Sequence, residues 1–196
     1  MRSQRGVTLV ELMVVVAILG IVSALAVQVV KSDPTAKTAR EVAALIQQAR
    51  RNAIAHGPVR ADVAAATSTT ATQRVRIRDS GGKANVIELY DLVETTGAAT
   101  YTWTPSTWSW MPQKVQVYGV DTTANTVGGE TLPTALATNG QIDFYLFPDG
   151  TAGTSLNGNG ANGTTIYLQT RAGTKKDKFR IFVMPLSGAP TTTKGW

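Results

Sequence analysis

The chain has 196 residues, with 19 Lys and Arg against 13 Asp and Glu, and a net formal charge of +6. That length suits one compact domain plus an appendage and is enough to bury a core. Charged residues make up only 16% and cysteine is absent. This rules out a disulfide framework or a thiolate metal site and favours a β-rich exported domain over a cytosolic helical enzyme.

Met1 to Gly6 is a short polar stretch carrying Arg2 and Arg5. Roughly 19 residues without an ionisable side chain then separate Glu11 from Lys31, about the length an α-helix needs to cross a bilayer. Arg2 and Arg5 would hold the N-terminus in the cytoplasm and place the C-terminal bulk outside. Three processing schemes fit: an uncut signal anchor, a secretory signal cut after Ala24-Leu25-Ala26, and a leader cut where the apolar run begins. A carboxylate inside an apolar segment is costly unless paired or neutralised, and neither an anchor nor a discarded signal has a use for Glu11. Glu11 has a local use as well. Thr8-Leu9-Val10-Glu11 fits a capping box, and the helix dipole favours an acid in that turn.

The segment Gly6-Val7-Thr8-Leu9-Val10-Glu11-Leu12-Met13-Val14-Val15-Val16 resembles the prepilin signature of type IV pilins and pseudopilins. The resemblance implies cleavage between Gly6 and Val7 by a membrane aspartic prepilin peptidase, with N-methylation of Val7. It also implies that Glu11 pairs with the α-amine of a neighbouring subunit during assembly. Family members most often begin their mature chain with Phe, where this chain has Val7. A buried carboxylate needs a cation, so such a pair would favour the assembly over the isolated membrane state.

Lys31-Ser32-Asp33-Pro34 interrupts the apolar helix, with Asp33 and Pro34 as N-cap and first residue of a new helix or as a kink within one. Ala39, Val42, Ala43, Ile46, Ala49 and Ala53 then recur at helical spacing, with Arg40, Glu41, Gln47, Arg50 and Arg51 on the other side. Gly57 and Pro58 stop this amphipathic helix. His56, the single histidine, reads as a solvated helix-end residue, because no partner ligands cluster with it. Leu45 to Val59 resembles the "ARxxAI…PV" stretch of GspH/FimT-type minor pilins and pseudopilins, where the long helix hands over to the first strand.

Beyond Val59 the period becomes two. Val75 and Ile77 alternate with Arg74, Arg76 and Arg78 before the Ser80-Gly81-Gly82-Lys83 turn. Pairing Ile77 with Ile87 and Val75 with Leu89 keeps the apolar sets on one face and sets Arg76 opposite Glu88, which requires an odd-length loop or a bulge. With Glu88 answering the arginines, the row reads as a solvated sheet face rather than a nucleic-acid stripe. Tyr101 and Trp103, then Trp108 and Trp110, form same-face pairs suited to core or subunit packing, or to an exposed adhesive patch. Val115 and Val117, then Ile142, Phe144 and Leu146, supply further strands. The Gly/Asn-rich stretch from Asp149 to Gly163 lacks the spaced carboxylates of a calcium loop and reads as a connector. In the last hairpin, Ile166, Leu168 and Thr170 can face Val183, Ile181 and Phe179, with Lys175, Lys176 and Lys178 near the turn. The Phe147-Pro148-Asp149-Gly150 turn and this hairpin again resemble the C-terminal half of the GspH/FimT-type domain.

The expectation is an α+β chain, with a long N-terminal helix of apolar and amphipathic halves on a C-terminal antiparallel β-rich domain, as in type IV pilins. Its divisions are a leader at 1–6, an apolar transmembrane and assembly helix at 7–30, an amphipathic helix at 31–57 and a β-rich domain at 58–196. No P-loop, dinucleotide fingerprint, metal motif or catalytic constellation is present, so neither enzyme activity nor a cofactor is expected. The resemblance implies an inner-membrane, single-pass protein with its globular domain in the periplasm, later incorporated into a filament. Its partners would be prepilin peptidase and other major and minor pilins or pseudopilins, with a tip adhesin as a further candidate. The functional candidates are a minor pilin initiating assembly near a type IV pilus tip, a GspH-like pseudopilin of type II secretion, and a DNA-binding competence pilin. The last would use Arg171, Lys175, Lys176, Lys178 and Arg180 as phosphate contacts. A soluble secreted protein cut after Ala26 completes the set.

Overall fold

A computed structural model describes residues 9–29, 33–58, 70–79, 85–94, 101–110, 114–124, 126–132, 136, 140–154, 162–171 and 177–196. The chain divides into two compact units, Met1–Asp33 and Pro34–Trp196. The first contains α1 (Leu9–Val29). The second opens with α2 (Pro34–His56), whose first residue is the proline and whose last precedes Gly57 at φ 67°. Proline suits the first helical position because its missing N–H would have had no partner there, and glycine takes the left-handed turn that ends a helix. α2 begins at Pro34, as the reading of Asp33 and Pro34 as the start of a new helix expects, and residues 30–32, between α1 and Asp33, lie outside the described set.

α2 buries Thr35, Thr38, Ala39, Val42, Leu45, Ile46, Ala49 and Ala53. The spacing predicts most of this stripe, and the two threonines extend it to the first turn. Arg50 departs from expectation. Its guanidinium would lie 3.6 Å from a Cβ placed on Gly150, so it packs against a turn instead of facing water.

Among the described residues nine strands follow: β1 (Gln73–Asp79), β2 (Asn85–Glu94), β3 (Tyr101–Trp110), β4 (Val115–Asp121), β5 (Gln141–Leu146), β6 (Ala152–Gly153), β7 (Thr164–Thr170), β8 (Lys178–Val183) and β9 (Pro190–Lys194). They form a five-stranded sheet, β3-β2-β1-β5-β6, and a four-stranded sheet, β4-β7-β8-β9. Every pairing is antiparallel. The α+β class expected from the sequence is what forms. The stretch from Asp149 opens with a turn and the short strand β6, and its residues 155–161 lie outside the described set.

The register of β1 on β2 is the one the apolar pattern demands: Val75 opposite Leu89, Arg76 opposite Glu88 and Ile77 opposite Ile87. Asp79 pairs with Asn85, so the connection is odd in length. The last hairpin differs. Ile166 pairs with Ile181 and Leu168 with Phe179, a slip of two positions from the expected partners. A two-residue slip leaves every side chain on its own face, so apolar patterning cannot detect it. The backbone amides settle it at the turn, where Thr170 donates to the Asp177 carbonyl at 3.1 Å.

Among the described residues β3 is an edge strand of its sheet. Its register shifts where Leu89 faces Thr107 and Tyr90 faces Pro105, leaving Ser106 as an extra, bulged residue. Proline, with no N–H for a ladder, is tolerated at such an edge.

One hydrophobic core unites the unit. Ala39, Val42, Ile46 and Ala49 of α2 meet Val75, Ile77, Ile87, Leu89, Phe144 and Leu146 of the larger sheet and Val117, Ile166, Leu168, Ile181 and Val183 of the smaller. Gly188, at φ 59°, closes the turn beneath α2, where an added Cβ would meet the Gly150 carbonyl oxygen at 2.6 Å. Gly188→Ala is expected to destabilise the unit by about 2 kcal/mol or more, from the left-handed backbone and the clash together. The urea midpoint of the purified protein checks this, and an unchanged midpoint refutes it.

Candidate functional site

α1 carries one acid, Glu11, in its first turn and has no basic residue in its last. A helix starting at Leu9 puts Glu11 at the third helical position, where a capping box needs it. Thr8, the capping partner, and Gly6 and Val7, the cleavage residues, lie outside the described set. Glu11 shares a shallow open face with Val10, Val14 and Val15. The described side chains, from Leu9 to Ser23, are exposed on every side of the helix. A helix that is apolar all round needs lipid or other helices to cover it. Among the described residues no helix is long and apolar enough to cross a membrane.

Among the described residues near the last hairpin, Lys178 and Arg180 are each engaged by a neighbouring side chain. Arg180 Nη1 lies 3.2 Å from Glu130 Oε2, and the Glu130 side chain is only 1% exposed. Lys178 Nζ sits 3.9 Å from the centroid of the Trp196 ring, a cation–π contact. Arg171 follows β7 half-buried, its backbone N–H donating to the Lys114 carbonyl at 2.8 Å. Lys175 and Lys176 lie outside the described residues.

What covers the outer face of the smaller sheet was not visible in the sequence. Every residue of β7 is buried. Trp196 stacks 4.8 Å from Tyr118 and edge-on 5.4 Å from Tyr167, while Glu130 reaches over to Arg180. Asp121 ends β4 and accepts hydrogen bonds from the Thr123 amide and hydroxyl and from the Thr131 amide, at 2.7–2.9 Å. Burial would raise its pKa, but these donors outweigh burial and hold the carboxyl below its usual range. Tyr167 is pushed up to about 12, first by burial and then by the nearby charges of Glu130 and Asp121.

A group with a raised folded pKa stabilises the fold below its unfolded value and loses that contribution as pH climbs to the folded value. Stability should therefore fall from about pH 10 to about 12 by an amount on the order of 1–3 kcal/mol attributable to Tyr167. Denaturation series across this range should show Tyr167→Phe declining less than the parent. Equal declines would remove Tyr167 as the cause.

The outer face of the larger sheet holds the arginine row. Arg76 makes a bidentate pair with Asp143 at 2.9 and 3.0 Å, so its carboxylate comes from β5 and not from Glu88 directly opposite. Glu88 instead accepts Arg78 at 2.8 and 3.1 Å and the Tyr90 hydroxyl at 2.8 Å. Burial works against ionisation of Glu88, yet Arg78 and Tyr90 keep its pKa lowered. The expected solvated face is solvated in part: the Arg78 side chain is 41% exposed, whereas Arg74 is 9% exposed and Glu88 7%. The guanidinium of Arg74 lies 4.2 Å above the Tyr90 ring centre and 4.8 Å from that of Trp103. Tyr101 and Trp103 are half-exposed and outside the core, whereas the side chains of Trp108 and Trp110 lie outside the described set. The signal for this cluster was a strand alternating arginine with aliphatic residues beside an aromatic strand, but only the sheet order brings the two together.

Among the described residues no group of three or more metal-ligating side chains forms. Residues 1–27 match the family model of the prokaryotic N-terminal methylation motif. The chain thus carries the prepilin methylation motif, which is consistent with a type IV pilin-like or pseudopilin-like protein. No curated protein and no solved structure matches the chain.

Proposed function

We propose that this chain is a minor pilin of a type IV pilus, made as a membrane-anchored precursor and incorporated near the filament tip as assembly begins. The observation that carries the reading is the methylation motif at residues 1–27, which frames Gly6, Val7 and Glu11. Prepilin peptidase would cut between Gly6 and Val7 and methylate the new amino terminus. Leu12 to Val30 would then hold the subunit in the inner membrane, with the β-rich unit in the periplasm.

Extraction into a filament exchanges lipid for the apolar helices of neighbouring pilins, and those helices cover the all-round apolar surface of α1. Glu11 gives the exchange a direction. In lipid its carboxylate is costly, whereas beside a neighbour's α-amine it gains a cation in a medium of low dielectric. The subunit acts by packing and by charge pairing, with no catalytic role. A pseudopilin of a type II secretion system would use the same helix and the same pair, and neighbouring genes separate the two: other minor pilins and a large tip adhesin, or a secretion operon.

Two measurements test this reading. The mature N-terminal peptide should have the mass of a methylated chain beginning at Val7, and a start at Val27 would establish secretory cleavage instead. Glu11→Ala should insert and be cleaved like the parent yet enter filaments at roughly a tenth of its level or less, the loss expected for an uncompensated buried charge. Normal incorporation of the variant sinks the pairing.

A further inference from the structure

Arg74 is the arginine of its row that makes no ion pair among the described residues, although Asp143, already held by Arg76, lies near enough to favour its charge. Arg76 and Arg78 each hold a carboxylate. Among the described residues, no carboxylate or hydrogen-bond acceptor pairs with Arg74, and its Nε is buried without a partner. Only 9% of the residue is exposed. A buried cation without an ion pair of its own is an expensive arrangement: burial and neighbouring Arg76 work against its charge, and Asp143 and the rings of Tyr90 and Trp103 offset only part of the cost. The stacking has a geometric consequence. A guanidinium lying against ring faces keeps its N–H bonds in its own plane, so the bidentate edge that matches a carboxylate is left unused.

The surroundings narrow the ligand. Trp103 and Tyr145, with ring centres 5.9 Å apart, are both half-exposed beside Arg74 and offer flat apolar surface. Asp143 and Glu88 stand on the same face, each held by an arginine, and Asp143 also accepts from the exposed Gln141 amide at 3.2 Å. Two fixed carboxylates disfavour a polyphosphate, but they accept readily from hydroxyl groups. One unpaired fork, an aromatic platform and hydroxyl acceptors fit a ring that bears one carboxylate and several hydroxyls.

We propose that the outer face of the five-stranded sheet at Arg74, Trp103 and Tyr145 is a binding site for an acidic saccharide, with a uronic acid carboxylate on Arg74 and the sugar ring against the aromatic pair. The inference stands on the β-rich unit alone and does not use the N-terminal motif. It also differs from the arrangement expected of the cations near the last hairpin, because the charge that matters here is single and enclosed.

The test uses the full-length chain in non-ionic detergent, with 15N-labelled arginine, titrated with digalacturonate while the Arg74 Nε–H resonance is followed. The resonance is assigned by its loss in Arg74→Lys. It should shift saturably, and neutral digalactoside should bind at least roughly 10-fold more weakly. Arg74→Lys keeps the charge and the stem but loses the fork, and should weaken binding roughly 10- to 100-fold, read from tryptophan fluorescence. Trp103→Leu should weaken binding as well, with the unfolding transition of both variants as the control for folding. An oligoglutamate peptide or an oligothymidylate strand that moves Arg74 at lower concentration than the uronate overturns the assignment in favour of that ligand class. No shift at tens of millimolar digalacturonate overturns it too, leaving Arg74 as internal packing. If the variants do not fold, the acidic and neutral sugars on the parent chain still decide.

Discussion

Two sheets each turn an apolar face inward, and one helix has a single apolar stripe to bury. Their meeting fixes most of the second unit, because α2 sits on residues of both sheets at once. Each fully buried aliphatic or aromatic side chain in that cluster contributes about 1.5–3 kcal/mol relative to exposure. The core side chains must also interdigitate at near-crystalline density, so the helix sets where the inner faces of the two sheets lie. The small residues of the stripe, Ala39, Ala49 and Ala53, are fully buried and keep the contact close. Arg50 and Ile54 extend it to the turns at Gly150 and Gly188, so the chain reversals after β5 and β8 are anchored by the same helix.

What the sequence made legible follows from where one interaction outweighs its rivals. The register of β1 on β2 could be deduced because a one-residue error would have carried Val75 and Ile77 out of the core. The end of α2 could be deduced because Gly57 and Pro58 act through local backbone geometry alone. The partner of Arg76 could not. Glu88 is directly opposite on one side, but Asp143 is equally opposite on the other, and which neighbour wins depends on β5 joining the sheet from 67 residues away. The β7–β8 slip escaped for the reverse reason, since both registers satisfy the same apolar pattern.

The outer faces were the least legible part, because their closure depends on segments remote in sequence. Glu130 and Trp196 cover β7 and β8 from a loop and from the end of the chain, and neither position carries a pattern that announces its target. The same distance explains the aromatic strand. Its half-exposed rings were readable as core, interface or patch until the strand order placed Trp103 within reach of Arg74 and Tyr145. On both sheets, charges that look like a basic stripe in one dimension are mostly answered in three. For the N-terminal segment the order is inverted. Its motif is legible in sequence, because it is a local pattern of residues 1–27 and does not depend on segments remote in the chain.

The edge strand β3 matters wherever many copies lie side by side. A ten-residue edge strand presents a row of backbone donors and acceptors that invites an identical strand to add to it, and repeated addition leads to amyloid-like stacking. Pro105 removes one donor near the middle of that row, and the neighbouring bulge twists the strand out of register with any straight copy of itself. A copy that met this edge would touch it through side chains, which can separate again, rather than through a continuous backbone ladder, which does so only with difficulty. An edge interrupted in this way lets copies of the chain meet and part.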